Sequence, residues 1–91
     1  EAYNNLGLVL LAERRNEEAI YHYKMAIKFM PTHAEAYNNL GNALLTERKT
    51  EEGIFHYRMA IKLKPDFADA RHNLKIALRR YKLHSKSQHD N

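Results

Sequence analysis

The chain has 91 residues, of which 44% are hydrophobic and 29% charged, a composition typical of one small soluble domain. It contains no cysteine, which excludes disulfide bonds, thiolate metal ligands and thiol catalysis. The net charge is +4, and residues 66–91 carry six Lys or Arg against three Asp. We interpret this basic segment as a solvated terminal helix, so nucleic acid is not an expected partner. No apolar run reaches the roughly 18–20 residues of a membrane span. We therefore expect no membrane insertion and favour a soluble, cytoplasmic protein.

The sequence is a tandem repeat with a period of 34 residues. Residues 1–34 align without a gap over residues 35–68, with 22 identities in 34 positions. A third copy begins at Asp69 and extends over the length of one helix. A fixed period of this kind is typical of repeat arrays, in which each unit buries its apolar face against its neighbours. We therefore predict two full repeats, 1–34 and 35–68, and a partial third repeat, 69–83.

Each full repeat is predicted to form two antiparallel helices. Asn16 and Thr50 begin the second helices, because each is a capping side chain followed by two glutamates. Pro31 and Pro65 end them. Links of roughly two to four residues make the two helices antiparallel neighbours. In the second copy, the first helix has one apolar face, formed by Ala36, Tyr37, Leu40, Ala43 and Leu44.

The repeated residues resemble the tetratricopeptide-repeat family, whose pattern combines an aromatic residue, Leu-Gly, Tyr, Ala and Pro at fixed offsets. The resemblance implies an all-α solenoid of antiparallel helix pairs, here two full repeats plus a C-terminal capping helix. It also implies a concave groove that binds a protein or peptide ligand. The matching residues are Tyr3, Leu6, Gly7, Leu10, Ala19, Tyr23, Ala26 and Pro31 in the first repeat, and Tyr37, Leu40, Gly41, Leu44, Gly53, Tyr57, Ala60 and Pro65 in the second.

Two kinds of residue in this pattern have a physical role in packing. Gly7 and Gly41 are expected where the two helices of a repeat touch, since a larger side chain would separate them. Aromatic residues at the family positions are expected in the core and not on a stacking surface for nucleic acid or sugar. These aromatic residues are Tyr3, Tyr23, Tyr37 and Tyr57.

The third copy is predicted to be a capping helix over residues 69–83, followed by a frayed basic tail over residues 84–91. Arg71 replaces the aromatic residue of the pattern, and Lys75 replaces the glycine. A lysine at that position would clash with a partner helix. We therefore expect the face of Lys75 to lie in water, as the polar outer face of a terminal repeat does.

Asparagines recur on the predicted inner face of the array. Asn5, Asn39 and Asn73 are spaced by 34 residues, so they occupy equivalent positions. An amide both donates and accepts hydrogen bonds, so a row of amides can hold the backbone of an extended peptide. The row is similar to the asparagine ladder in the repeat arrays of O-linked N-acetylglucosamine transferases. The alternative is that the amides bond the neighbouring repeat or water. The candidate groove residues are Asn4, Asn5, Leu8, Asn38, Asn39, Asn42 and Asn73.

Four functions are compatible with these observations, one of which, nucleic-acid binding through the basic tail, is the alternative to a solvated terminal helix. The first is a protein-interaction scaffold that binds an extended peptide or a partner helix in the groove. The second is a C-terminal segment that positions substrates for a larger enzyme, such as a glycosyltransferase. The third is self-association, for which Leu8, Val9 and Ala12 are the candidate face, because they are more apolar than their counterparts in the second copy.

No pattern for catalysis or for a cofactor was found in the sequence. His22 and His56 are equivalent residues, expected roughly 10 Å apart, which is too far for a shared zinc ion. Some members of the family bind chaperone C-termini through a carboxylate clamp, but of its positions only Asn39 fits, and Asp69 has the wrong sign. There is no phosphate loop or dinucleotide motif. We therefore expect no enzyme activity, no catalytic residue, no metal ion and no cofactor.

Overall fold

The computed structural model describes the backbone of residues 2–89 and the side chains of residues 2–84. The described residues form five helices joined by short turns and contain no strand, which confirms the all-α prediction. α1 pairs with α2, α3 pairs with α4, and α5 packs on α4 and α3. The helices are α1 (Ala2–Ala12), α2 (Asn16–Phe29), α3 (Ala34–Thr46), α4 (Thr50–Leu63) and α5 (Ala68–His89).

The helices α1, α3 and α5 form the inner layer of the stack. α3 contacts both α1 and α5, whereas α2 and α4 do not contact each other over the described part of the chain. Because the first helices of the repeats lie closer together than the second helices, the stack curves. Its concave face is therefore formed by α1, α3 and α5.

The turns after α1 and α3 close in the same way. Arg14 and Arg48 adopt the left-handed backbone conformation, with φ of 63° and 62°. In the second repeat, Lys49 N donates to Leu44 O at 2.8 Å, and the first repeat has the equivalent bond. This is the Schellman motif, in which glycine usually occupies the left-handed position. An L-residue there costs roughly 1–2 kcal/mol, so each arginine is held in place by the helices on either side.

Each helix pair closes with a tyrosine ring over a glycine. Tyr23 and Tyr57 are completely buried. A Cβ atom added to Gly7 would lie 2.5 Å from the Tyr23 ring, and one added to Gly41 would lie 2.6 Å from the Tyr57 ring. No side chain fits at these distances, which confirms the prediction that both glycines allow two helices to touch.

For one of the four tyrosines, the prediction of a core position is wrong. Tyr3 is 37% exposed, whereas the equivalent Tyr37 is 8% exposed. Tyr37 lies in a cluster that Ile27 of α2 helps to cover. On the corresponding side of α1, no helix of residues 2–89 packs, so the aromatic ring at the first position stays at the surface.

The last helix is longer than the sequence indicated. α5 continues to His89, six residues beyond the predicted end at residue 83. Neither Pro nor Gly occurs between Ala68 and His89, so no residue interrupts the helix where the frayed tail was expected. Residues 90 and 91 of that predicted tail lie outside the described residues.

Replacing Gly41 by Ala tests the contact between the helices of the second pair. The added methyl group meets the Tyr57 ring, and overpacking of this kind costs roughly 1–3 kcal/mol, more than the 0.5–1 kcal/mol or so that Ala gains in a helix. We expect Gly41→Ala to lower the free energy of unfolding, measured by urea denaturation with circular dichroism. Gly53→Ala is the control: an added Cβ there would lie 3.2 Å from Gly41 O, a milder contact, and the first repeat already has Ala19 at this position, so its stability should fall less than that of Gly41→Ala. Wild-type stability for Gly41→Ala would contradict the packing argument.

Candidate functional site

Asparagine side chains connect the inner helices to one another. Asn39 Nδ2 donates to Asn4 Oδ1 at 3.0 Å, and Asn73 Nδ2 donates to Asn38 Oδ1 at 3.1 Å. Both bonds span 35 positions of sequence, so the same interaction links α1 to α3 and α3 to α5. We call these two bonds the amide ladder. The sequence left hydrogen bonding to the neighbouring repeat as the alternative to peptide binding. The amide ladder uses part of the hydrogen-bonding capacity of each amide in this way.

The candidate groove residues fall into two groups by exposure. Asn4 and Asn38 are only 5% and 6% exposed, so these two acceptors lie inside the helix interface and not on the groove surface. Asn39 is partly exposed, and its amide uses one proton in the ladder, while its oxygen accepts no bond from residues 2–84. The candidates at the surface of the concave face are therefore Asn5, Leu8, Asn39, Asn42 and Asn73.

Asn42 joins the amide ladder to the core of the second repeat. Its Oδ1 accepts hydrogen bonds from the Tyr57 hydroxyl at 2.5 Å and from Asn73 Nδ2 at 3.2 Å. Together with Ile76 and Arg80 of α5, these residues line a cleft of about 230 Å³ on the concave face. We call it the inner cleft. It combines two amide groups and one guanidinium group with the apolar side chains of Leu45 and Ile76.

The first repeat lacks the bond between tyrosine and asparagine. Tyr23 is equivalent to Tyr57, but Leu8 stands where the second repeat has Asn42. The Tyr23 hydroxyl is buried and has no hydrogen-bond partner among the described residues. Leaving such a group unsatisfied costs roughly 1–3 kcal/mol. Leu8 therefore makes the α1 end of the groove apolar at the expense of stability.

Burial also changes the acidity of both core tyrosines. It raises the pKa of Tyr23 and of Tyr57 to about 12, because the phenolate would lose its hydration in the core. At Tyr57 the positive charge of Arg80 acts in the opposite direction and favours the phenolate. Arg80 was not among the sequence candidates. Its position above the inner cleft follows from the packing of α5 against α4, which the sequence pattern did not specify.

The exposed end of α1 differs in part from the predicted self-association face. Val9 is 55% exposed, and Leu6 and Tyr3 are exposed as well. The residues at the equivalent positions of α3 are buried. Leu8 and Ala12 are also exposed, but they are equivalent to residues on the groove side of α3. Sequence reasoning missed Tyr3 and Leu6 because the family pattern assigns both to the core. Self-association through this end therefore stays a prediction, with a revised set of residues.

No group of three or more His, Asp or Glu side chains in residues 2–84 is arranged to hold a metal ion. None of the described helices has the length and apolar character that crossing a bilayer requires. His22 and His56 instead contact aromatic rings, with Tyr3 stacked on His22 at 6.0 Å and Tyr37 stacked on His56 at 6.2 Å.

Two protein-family models match the sequence. A TPR repeat model matches residues 10–46, and a tetratricopeptide repeat model matches residues 34–67. Together the two matches extend from the end of α1 to the residue before α5, and include all of α2, α3 and α4. No curated protein matches the sequence.

Replacing each core tyrosine by Phe shows how much its hydroxyl group contributes to stability in each repeat. Tyr57→Phe removes a hydrogen bond to Asn42, so we expect the free energy of unfolding to fall by about 1 kcal/mol. Tyr23→Phe removes a hydroxyl group that has no partner in the described residues, so stability should stay equal or rise. Urea denaturation of both variants measures the difference. Equal losses in the two variants would show that Leu8 does not leave the Tyr23 hydroxyl unsatisfied.

The raised tyrosine pKa values predict a loss of stability in alkali. Below pH 10 each phenol is protonated in both the folded and the unfolded chain, so its contribution is fully present. Between pH 10 and about 12 the unfolded chain ionises first, and this contribution is lost as the pH passes the folded pKa. We expect the melting temperature to fall over this range, and to fall less steeply in the double variant Tyr23→Phe, Tyr57→Phe. The same fall of melting temperature with pH in both proteins would contradict the assignment of this loss to Tyr23 and Tyr57.

Proposed function

Since the chain belongs to the tetratricopeptide-repeat family, whose repeats are typically non-catalytic scaffolds for protein interactions, we propose that it binds an extended polypeptide on the concave face of α1, α3 and α5. One observation carries the proposal: partly exposed amides occur on successive inner helices, each anchored by the amide ladder. An anchored amide loses little further side-chain freedom when a ligand binds, so its hydrogen bonds contribute more to affinity.

The oxygens of Asn39 and Asn73 are the acceptors that the ligand would use. Neither oxygen accepts a hydrogen bond from residues 2–84, and both residues are partly exposed. They occupy equivalent positions on neighbouring inner helices, so they are roughly 8–10 Å apart, the length of about three residues of an extended chain. Backbone N–H groups at that spacing could bond to both amides without any requirement for particular side chains.

The α1 end of the groove adds a preference for apolar side chains. Leu8 is 44% exposed on the concave face, where the second repeat has the polar Asn42. Apolar surface removed from water at this point stabilises the complex by roughly 25 cal/mol per Å². We propose that the ligand places an apolar side chain over Leu8 and its backbone over Asn39 and Asn73.

Selection from a phage-displayed library of random dodecapeptides tests the proposal. The chain is immobilised, and an unrelated helical repeat protein serves as the background. The affinity of the enriched peptides is then measured for two matched variants, Asn39→Ala and Asn4→Ala. Both break the same bond of the amide ladder, but only Asn39→Ala removes an amide from the groove surface.

We expect Asn39→Ala to weaken binding about tenfold, as the loss of roughly 1.4 kcal/mol would. Asn4→Ala should weaken it less, by about threefold at most, because it frees the Asn39 side chain but keeps its amide at the groove surface. Circular dichroism controls for folding of both variants. Absence of enrichment above background would contradict peptide binding, and equal effects of the two variants would contradict the role of the groove amides.

A further inference from the structure

Three cavities adjoin one another between the concave face and the turn that follows α3. The inner cleft shares Leu45 and Arg80 with a cavity of about 340 Å³. That cavity in turn shares Arg48, Thr50 and His84 with a third cavity of about 420 Å³. We call the second and third cavities together the basic trough. A polypeptide in the groove therefore has an open path past Arg80 towards Arg48.

Three cations of the basic trough, Arg48, Lys49 and Arg80, form no ion pair with a carboxylate among residues 2–84. Within residues 2–84 both ion pairs involve Arg15, which lies in the first repeat. Arg48, Lys49 and Arg80 are exposed and form none with a described carboxylate. Two glutamates, at positions 51 and 52, also line the third cavity, but neither pairs with these cations. The trough thus keeps positive charge that a ligand can use.

The first repeat contains an equivalent cavity that is neutralised internally. Its volume is about 300 Å³. In it, Arg15 donates to both carboxylate oxygens of Glu18, at 2.8 and 2.5 Å, and this hydrogen bonding lowers the pKa of Glu18. Asn16 Nδ2 donates to Glu47 at 2.9 Å. Its lining residues are Arg14, Arg15, Asn16, Glu17, Glu18 and Glu47. Both cavities therefore hold cations and carboxylates, but Arg15 is paired with Glu18 in the first repeat, whereas Arg48 and Lys49 form no ion pair with a described carboxylate in the second.

The two cavities differ in charge because of residues on α5. Tyr81 stands where the first cavity has Glu47, so a carboxylate is missing from the trough. Arg80 stands where the preceding repeat has Thr46, which adds a cation at the boundary with the inner cleft. At the other end of the groove, α1 has no charged residue. The groove is therefore uncharged over α1, where Leu8 is exposed, and carries the cation Arg80 over α5.

We propose that the basic trough binds a carboxylate group of the polypeptide held in the groove. Arg80 and Arg48 supply planar donors that match a carboxylate, and the charge gradient orients the ligand with its acidic end over α5 and its apolar end over Leu8. This inference rests on the proposed function, and it adds the partner's chemistry: an extended acidic polypeptide. The carboxylate is supplied either by an Asp or Glu side chain or by the chain terminus.

The library selection described above provides the probe. We expect enriched peptides to carry Asp or Glu towards one end and an apolar residue towards the other. The best peptide is then synthesised in its native form, with Gln in place of Glu or Asn in place of Asp, and with a free or an amidated C-terminus. The amidated form distinguishes a terminal carboxylate from a side-chain carboxylate, since only the first loses affinity on amidation.

The arginine variants are chosen to keep the fold intact. Arg48→Gly removes a cation and places glycine at a left-handed position, which it tolerates without strain, so the melting temperature should not fall. Arg14→Gly makes the same backbone change in the first repeat and is the matched control. Arg80→Gln removes the second cation and keeps a good helix-forming residue. We expect about tenfold weaker binding for Arg48→Gly and Arg80→Gln, and a change within about twofold for Arg14→Gly.

The outcomes separate this inference from the proposed function. A double-mutant cycle combines Arg80→Gln with the neutral peptide. Arg80→Gln should not weaken the binding of the neutral peptide, because this peptide lacks the carboxylate that pairs with Arg80. Enriched peptides that lack acidic residues and keep their affinity on C-terminal amidation would overturn the carboxylate site and leave groove binding intact. The same loss on Arg80→Gln for the acidic and the neutral peptide would do so too. Tighter binding of an oligothymidylate that displaces the peptides would also overturn it, in favour of nucleic acid. No enrichment at all would overturn groove binding and this inference together.

Discussion

The contact between a tyrosine ring and a glycine in each helix pair is the constraint on which the rest of the structure depends. A Cβ atom at Gly41 would lie 2.6 Å from the Tyr57 ring, so this ring lies directly against the backbone of α3. The Tyr57 side chain extends through the core to the inner layer, where its hydroxyl group donates a hydrogen bond to Asn42. Asn42 in turn bonds Asn73 of the next repeat. The packing within one pair thus positions the amides that join neighbouring pairs and line the concave face.

Repetition makes the differences between equivalent positions informative. Because 22 of 34 residues are identical in the two copies, a substitution at one position acts in a nearly constant environment. Leu8 in place of Asn42 leaves the Tyr23 hydroxyl without a partner among the described residues and makes one end of the groove apolar. Tyr81 in place of Glu47 removes a carboxylate from the cavity at the other end. Two local changes therefore give a symmetric scaffold a groove with distinct ends.

The asparagines contribute to stability and to the surface at the same time. A buried amide must be hydrogen-bonded to avoid the cost of desolvation, and the acceptors Asn4 and Asn38 meet this requirement through the amide ladder. The donors Asn39 and Asn73 are partly exposed and keep acceptor capacity towards solvent. A side chain that is already fixed by one bond presents its second functional group in a defined direction, which favours recognition of a polypeptide backbone.

The sequence by itself determined the repeat period, the helix pairs, the glycines at the close contacts and the family, because each depends on a pattern within one repeat. It also identified the asparagine row, although not which amides are buried. Tertiary structure alone decided the exposure of Tyr3 and the pairing of Asn39 with Asn4, since both depend on what lies beside a helix. The cationic end of the groove was decided in the same way. Arg48 and Arg80 are 32 positions apart, and only the packing of α5 on α4 and α3 brings them to one cavity, because a repeat pattern records the contacts that recur and not those made once at the end of a stack.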